Sequence, residues 1–165
     1  MVSLLRLAWW FDNFGVGKTM VKDDALIPFG KVPESRTHMP LPVSLESIPA
    51  GFPAPNGGYI DGELDVNEFL VTHPSSTYIY RVSGDSMIEA GIMSGDFVLV
   101  DSGMTPENED TVVAMVDGEY TVKKLILKPK PQLVPCNADY SPIEIGEFTE
   151  VTIIGPVISV IRKYR

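Results

Sequence analysis

The chain has 165 residues, a formal net charge of −9 and an apolar fraction of 44%, which suits a single hydrophobic core and excludes disorder throughout. It contains one cysteine, Cys136, and this excludes an internal disulfide and a thiolate zinc cluster. With two histidines in the chain, His-dependent triads and multi-His metal sites have few residues to draw on. We therefore predict no metal and no cofactor.

The charges are distributed unevenly along the chain. Residues 1–50 carry five basic and five acidic side chains, whereas residues 51–165 carry eight basic and seventeen acidic ones. A body this acidic is repelled by phosphate, so we expect no direct nucleic-acid binding. No apolar run reaches the roughly 20 residues that a membrane helix needs. We therefore expect no membrane association and a cytoplasmic location.

Near the start of the chain, Gly15-Val-Gly-Lys-Thr19 is similar to the end of a phosphate-binding loop. The complete motif needs a glycine five positions before Gly17, but Asp12 stands there. An acidic side chain in such a loop repels phosphate, which argues against nucleotide binding.

The next segment is rich in proline, with seven of the fourteen prolines between Pro28 and Pro55. Such a segment cannot sustain a helix or a central strand, so we predict an extended and largely mobile chain. Residues 1–50 are called the arm below. The predicted domain organisation is this arm followed by a folded domain over residues 51–165.

The folded domain is predicted to begin with a short helix and to continue as strands. Asp65 and Glu68 have the spacing of a capping box, and His73-Pro74 ends the helix. Runs of β-branched and aromatic residues, separated by turn signals such as Asp117-Gly118, predict a mainly β domain. The predicted strands are 77–82, 97–100, 111–116, 120–127, 132–135 and 151–161.

A candidate nucleophile lies in Ser83-Gly-Asp-Ser-Met87, which leaves a strand at a glycine. A sharp turn there would present the Ser86 hydroxyl, and the backbone N–H groups of Asp85 and Ser86 could stabilise an oxyanion. An ordinary polar turn has the same composition. A serine also needs a base, and no plausible His-Asp pair accompanies this one.

Lysine can serve as that base when it is neutral, and Lys123 and Lys124 both lie in an apolar strand. Alternation along the strand places Lys123 on the face of Thr121 and Leu125, and Lys124 on the opposite face. Moving an ammonium into apolar surroundings removes its hydration, which favours the neutral amine. Both faces contain apolar residues, so alternation leaves the choice between the two lysines open.

The arm contains a candidate substrate, because Ala50-Gly51 is a pair of small residues in a segment that prolines keep extended. A shallow pocket could accept the methyl group of Ala50. Gly51 lets the peptide approach a nucleophile without a Cβ.

Taken together, these motifs resemble those of the LexA/UmuD self-cleaving proteins, and most closely those of the UmuD type. Ser86 and Lys123 lie 37 positions apart, and Gly51 lies 35 before Ser86, both intervals being similar to those of UmuD. The resemblance therefore selects Lys123 over Lys124. The matching segments are Ala50-Gly-Phe-Pro-Ala-Pro55, His73-Pro-Ser-Ser-Thr-Tyr78, Ser83-Gly-Asp-Ser-Met-Ile88, Ser94-Gly-Asp96, Asp117-Gly-Glu119, Thr121-Val-Lys-Lys-Leu125 and Tyr140-Ser-Pro-Ile143.

The resemblance implies a Ser86–Lys123 dyad in a mainly β peptidase domain of short, mostly antiparallel strands, which cuts the arm between Ala50 and Gly51. It further implies stimulation by a RecA filament on single-stranded DNA, a homodimer, and partnership with a UmuC-type translesion polymerase. Glu109 stands where the family tends to have glycine, so that turn is expected to differ. His73 is expected to be structural.

Two other functions are consistent with the same residues. The chain could be a polymerase-binding module that does not cut itself, or a LexA-family transcriptional regulator without its DNA-binding domain. Ser86, Lys123 and Ala50-Gly51 occur together, which favours a working peptidase. The acidic body argues against the regulator.

Overall fold

The computed structural model describes residues 26–33, 37–43, 62–146 and 149–165. Within these ranges the chain is mainly β, which confirms the predicted fold class. Helix α1 spans Val66–Leu70, and a 3-10 turn spans Ile88–Ala90. The strands are β1 (Leu26–Lys31), β2 (Pro40–Val43), β3 (Gly62–Asp65), β4 (Thr77–Val82), β5 (Phe97–Asp101), β6 (Thr111–Val116), β7 (Glu119–Ile126), β8 (Gln132–Val134), β9 (Ile143–Glu144) and β10 (Val151–Ile161).

Eight strands form one sheet in the order β1-β4-β5-β10-β6-β7-β8-β9, and β2 pairs separately with β3. All of these pairings are antiparallel. Strand β10 joins the two halves of the sheet, because its first part pairs with β6 and its last part with β5. The half with β4 carries the candidate serine at its end, and the half with β7 carries the candidate lysine.

Strand β10 needs a glycine where it crosses between the two halves. Its register shifts between Ile153 and Gly155. A Cβ added to Gly155 would lie 2.3 Å from the backbone oxygen of Asp101, which is closer than a non-bonded carbon atom can approach. The absence of a side chain at Gly155 therefore lets β10 lie against the end of β5.

The elements predicted after the arm are confirmed. Each of the six predicted strands appears with its ends within one residue of the prediction. Asp117 and Gly118 both have positive φ, 49° and 86°, as the hairpin turn between β6 and β7 requires. Asp65 caps helix α1, where its carboxylate accepts hydrogen bonds from the backbone N–H groups of Asn67 (2.8 Å) and Glu68 (3.4 Å).

Two strands come from the predicted arm. Strand β1 lies at one edge of the large sheet, and β2 belongs to the two-stranded sheet. Edge positions tolerate proline because one side of the strand needs no N–H donor, which accommodates Pro28, Pro40 and Pro42. The described residues of the arm are thus extended, but the sequence did not predict that β1 pairs with the domain.

Two clusters of buried side chains lie near the candidate site. The larger contains Tyr80, Val82 and Met87, and the other contains Leu125 and Leu133. Burial of apolar surface at this scale is the main stabilising contribution to such a domain. None of the helices in the described part of the chain has the length and apolar composition that a membrane span needs.

Candidate active site

The candidate nucleophile lies in a tight loop after β4. The chain turns at Gly84, whose φ of 95° is a left-handed conformation that glycine adopts without strain. Ser86 is 1% exposed, and the side chain of Met87 is buried in the core and anchors the loop. The carbonyl of Asp85 accepts a hydrogen bond from the N–H of Ile88 at 3.0 Å, as the 3-10 turn begins.

A second loop, which follows β8, holds the serine loop in place. The N–H of Cys136 donates to the carbonyl of Ser86 at 2.8 Å. Asn137 donates through Nδ2 to the carbonyl of Asp85 at 3.2 Å. The hydroxyl of Tyr140 donates to the side-chain carboxylate of Asp85 at 2.5 Å. These contacts fix the backbone on both sides of the Ser86 side chain.

The candidate base lies on β7, opposite Val112 of β6. Lys123 is 3% exposed, and its Nζ lies 2.6 Å from Oγ of Ser86. The same nitrogen donates to Oγ1 of Thr121 at 2.9 Å and to the carbonyl of Val122 at 3.1 Å. Three neutral oxygens therefore lie within hydrogen-bonding distance of the amine.

The structure brings Ser86 and Lys123 together and leaves Lys124 apart, because successive side chains of a strand point to opposite faces. Among the described residues, none accepts a hydrogen bond from the N–H groups of Asp85 and Ser86, the two predicted oxyanion donors. The predicted cleavage site, Ala50-Gly51, lies outside the described residues, and so does the Gly15 to Thr19 motif.

A cleft of 440 Å³ opens beside the lysine. Tyr120 and Tyr140 contribute aromatic surface to it, and Asp117 and Glu119 contribute two carboxylates. Burial raises the pKa of Tyr120 above its usual value. Because Lys123 also lines the cleft, an extended peptide lying in it would contact this residue.

Thr121 is a site residue to which the sequence analysis gave no role. Its hydroxyl accepts a hydrogen bond from Lys123, and the residue is buried, with 9% exposure. Thr121 and Lys123 are two positions apart, so the sequence already placed them on the same face of the strand. This polar neighbour of the candidate base was the signal that could have identified Thr121 as a site residue.

His73, for which a structural role is expected, pairs with Asp101. Its Nδ1 lies 2.6 Å from Oδ2 of Asp101, while the hydroxyl of Ser76 donates to Oδ1 at 2.6 Å. Burial acts to raise the pKa of the Asp101 carboxyl, but the hydrogen bonds from Ser76, His73 and the Gly103 N–H outweigh it and hold this pKa below its usual value. The network ties the start of β4 to the end of β5.

Comparisons with known proteins identify the family of the chain. Residues 42–158 match the family model described as Peptidase S24-like. The chain is 42% identical to Protein MucA of Salmonella typhimurium over 125 residues, 76% of this chain and 85% of that protein. It is 44% identical to Protein SamA of the same species over 75% of this chain and 86% of that one. It is 36% identical to the LexA repressor of Carboxydothermus hydrogenoformans over 81% of this chain and 64% of the repressor.

The family model, together with the mainly β fold, places the chain in the class of serine peptidases. The chain belongs to the peptidase S24-like family. The resemblance to the LexA/UmuD self-cleaving proteins is thereby confirmed, with UmuD-like members among the relatives.

Proposed function

We propose that this protein cuts its own chain between Ala50 and Gly51, with Ser86 as nucleophile and Lys123 as general base. The observation that carries the proposal is the distance of 2.6 Å between Nζ of Lys123 and Oγ of Ser86, both side chains being buried. An isolated serine hydroxyl is a weak nucleophile, and a base within hydrogen-bonding distance activates it.

The neighbours of Lys123 determine how the lone pair of its amine is oriented. A neutral amine has two N–H groups and one lone pair. If the N–H groups are donated to Thr121 and to the carbonyl of Val122, the lone pair is left for the hydroxyl proton of Ser86. Thr121 is then a positioning residue that holds the lysine in the geometry of a base.

The reaction proceeds in two stages. Lys123 accepts the proton of Ser86 while the serine oxygen attacks the carbonyl carbon of Ala50, and the oxyanion that forms accepts hydrogen bonds from the N–H groups of Asp85 and Ser86. The bond to the nitrogen of Gly51 then breaks, and the lysine ammonium donates its proton to that nitrogen. Water, activated by the neutral lysine, hydrolyses the serine ester and leaves a carboxylate on Ala50.

The proposed cellular role is that of a UmuD-like protein of the SOS response to DNA damage. A RecA filament on single-stranded DNA stimulates the cut, and the product over residues 51–165 acts as a homodimer with a UmuC-type translesion polymerase. Support comes from the family membership and from relatives that are 38–44% identical over most of the chain. DNA affinity would come from the polymerase, since the body carries seventeen acidic and eight basic side chains.

Purified protein incubated with RecA, ATP and single-stranded DNA tests both parts of the proposal. Cutting should be faster with the filament than without it, and Ser86→Ala protein should stay intact in both conditions. Bypass synthesis by a UmuC-type polymerase should then be stronger with cut protein than with the uncut Ser86→Ala variant. Equal bypass by the two forms would favour the non-cleaving binding module.

A further inference from the structure

One strand of the large sheet lies on the N-terminal side of the proposed cut. Strand β1 pairs with β4 from Leu26, opposite Val82, to Lys31, opposite Tyr78. Beyond the strand, the N–H of Val32 donates to the carbonyl of Thr77 at 3.1 Å. Breaking a peptide bond at Ala50 removes none of these contacts.

Side chains of the same segment are buried in the domain. Leu26 is 5% exposed and belongs to the cluster of Tyr80 and Val82, while Val32 is 8% exposed and packs in a separate cluster with Leu99. Two apolar anchors, six positions apart, therefore hold the segment at both ends.

Between the anchors, the segment forms one wall of an apolar cavity of 380 Å³. Gly30 and Val32 line it from the arm, and Ile79, Leu99 and Ile161 line it from the domain. If the segment left, this apolar surface and the backbone groups of β4 that face β1 would meet water. An apolar surface beside an unpaired strand edge is the geometry that binds an extended peptide.

We propose that the edge of β4 that pairs with β1 is a strand-binding site, and that its occupant is the segment 26–32 of this chain. The segment stays bound after the cut, and once it dissociates its place is taken by the same segment of a second copy. A second copy fits because it supplies both anchors at the required spacing and the register shift between Pro28 and Gly30. The inference rests on the proposed cut, and it makes cutting and release of the arm two separate steps.

The first test measures whether the fragment is retained. Cut protein is passed over a sizing column and analysed by native mass spectrometry, and fragments 1–50 and 51–165 should travel together until denaturant is added. Hydrogen exchange at residues 77–82 should be as slow in the cut protein as in uncut Ser86→Ala protein. A fragment that elutes alone, with fast exchange in β4, would overturn the proposal.

The second test measures exchange between copies. Isotopically labelled and unlabelled cut proteins are mixed, and species with one labelled and one unlabelled fragment should appear. Leu26→Asp and Val32→Asp should each weaken retention about tenfold or more, while Thr37→Asp, at an exposed position outside the segment, should change it less than about twofold. If the fragment is retained but no species with one labelled and one unlabelled fragment forms, the second copy is excluded as an occupant. Equal effects of the three variants would show that Leu26 and Val32 do not anchor the segment.

Failure of the inference and failure of the proposed function give different results. A chain that does not cut itself shows one band on a denaturing gel, whereas a chain that cuts and loses its fragment shows two bands and no native complex. In the first case, a protease recognition sequence inserted between Ala50 and Gly51 generates the same two fragments. Retention and exchange can then be measured in the same way.

Discussion

Replacing Thr121 by valine tests whether self-cleavage requires Thr121 to orient the amine of Lys123 toward Ser86. The two side chains have nearly the same shape, so the change removes the hydroxyl that lies 2.9 Å from Nζ of Lys123 and leaves the packing largely intact. A hydrogen bond to a group that becomes charged contributes about 1.5–3 kcal/mol. The lysine becomes an ammonium as the serine is deprotonated, so self-cleavage should slow about 10- to 150-fold.

The assay is the initial rate of self-cleavage at mildly alkaline pH, measured on denaturing gels, together with the free energy of unfolding. Thr121→Ser keeps the hydroxyl and is the matched control, with an expected rate within about threefold of wild type. The unfolding free energy of Thr121→Val should fall by about 1–3 kcal/mol, because the buried amine of Lys123 loses one hydrogen-bond acceptor. A Thr121→Val protein that cuts at the wild-type rate, or a serine variant as slow as the valine variant, would refute the positioning role.

Three further predictions concern stability. Glu109→Gly should raise the free energy of unfolding by about 0.5–1 kcal/mol, because Glu109 has a φ of 75° that glycine adopts without strain; no gain in urea titrations would count against this. Gly155→Ala should lower it by about 2 kcal/mol or more, since the new Cβ would meet the backbone oxygen of Asp101, and a change below about 0.5 kcal/mol would contradict the close approach. Hydrogen bonds from Arg162 hold the pKa of Asp96 below its usual value, so this pair stabilises the protein above about pH 4 and the stabilisation is lost as pH falls through the lowered pKa. In the Arg162→Met variant, the free energy of unfolding should therefore decrease less as the pH falls below about 4. An unchanged dependence on pH would show that the Arg162–Asp96 pair is not the cause of the decrease.

Six strands of the domain were predictable because their sequence signals are local, whereas the short strands β3 and β9 were not predicted. Alternating β-branched residues and the Asp117-Gly118 turn are enough to define the hairpin of β6 and β7. Strand β1 was missed, because the prolines around it argue against a central strand and nothing local shows that β4 offers it an edge. The pairing of β1 with β4 depends on contacts between residues about fifty positions apart.

The conformation of Glu109 also depends on distant residues. Glu109 stands where the family tends to have glycine, and it adopts a positive φ of 75°, which glycine favours. Its N–H donates to the carbonyl of Leu125 at 2.7 Å, and this long-range hydrogen bond holds the backbone in that conformation. Tertiary contacts at this position outweigh the preference of a single residue.

For the candidate site, alternation along β7 predicted the faces of Lys123 and Lys124 but not which face meets Ser86. That question depends on how the two halves of the sheet are joined through β10, which no local pattern reveals. The contacts of Cys136 and Tyr140 with the serine loop could not be predicted either, because they link residues about fifty positions apart.

The central claim is a Ser86–Lys123 dyad that cuts one bond of its own chain, and intact mass spectrometry tests it most directly. After incubation at mildly alkaline pH, wild-type protein should give the masses of residues 1–50 and 51–165. Lys124→Ala, the matched control on the opposite face of β7, should give the same two masses, while Ser86→Ala and Lys123→Ala should remain at the mass of the full chain. Fragments of these masses from either dyad variant, or a cut at another bond in the wild type, would contradict the account.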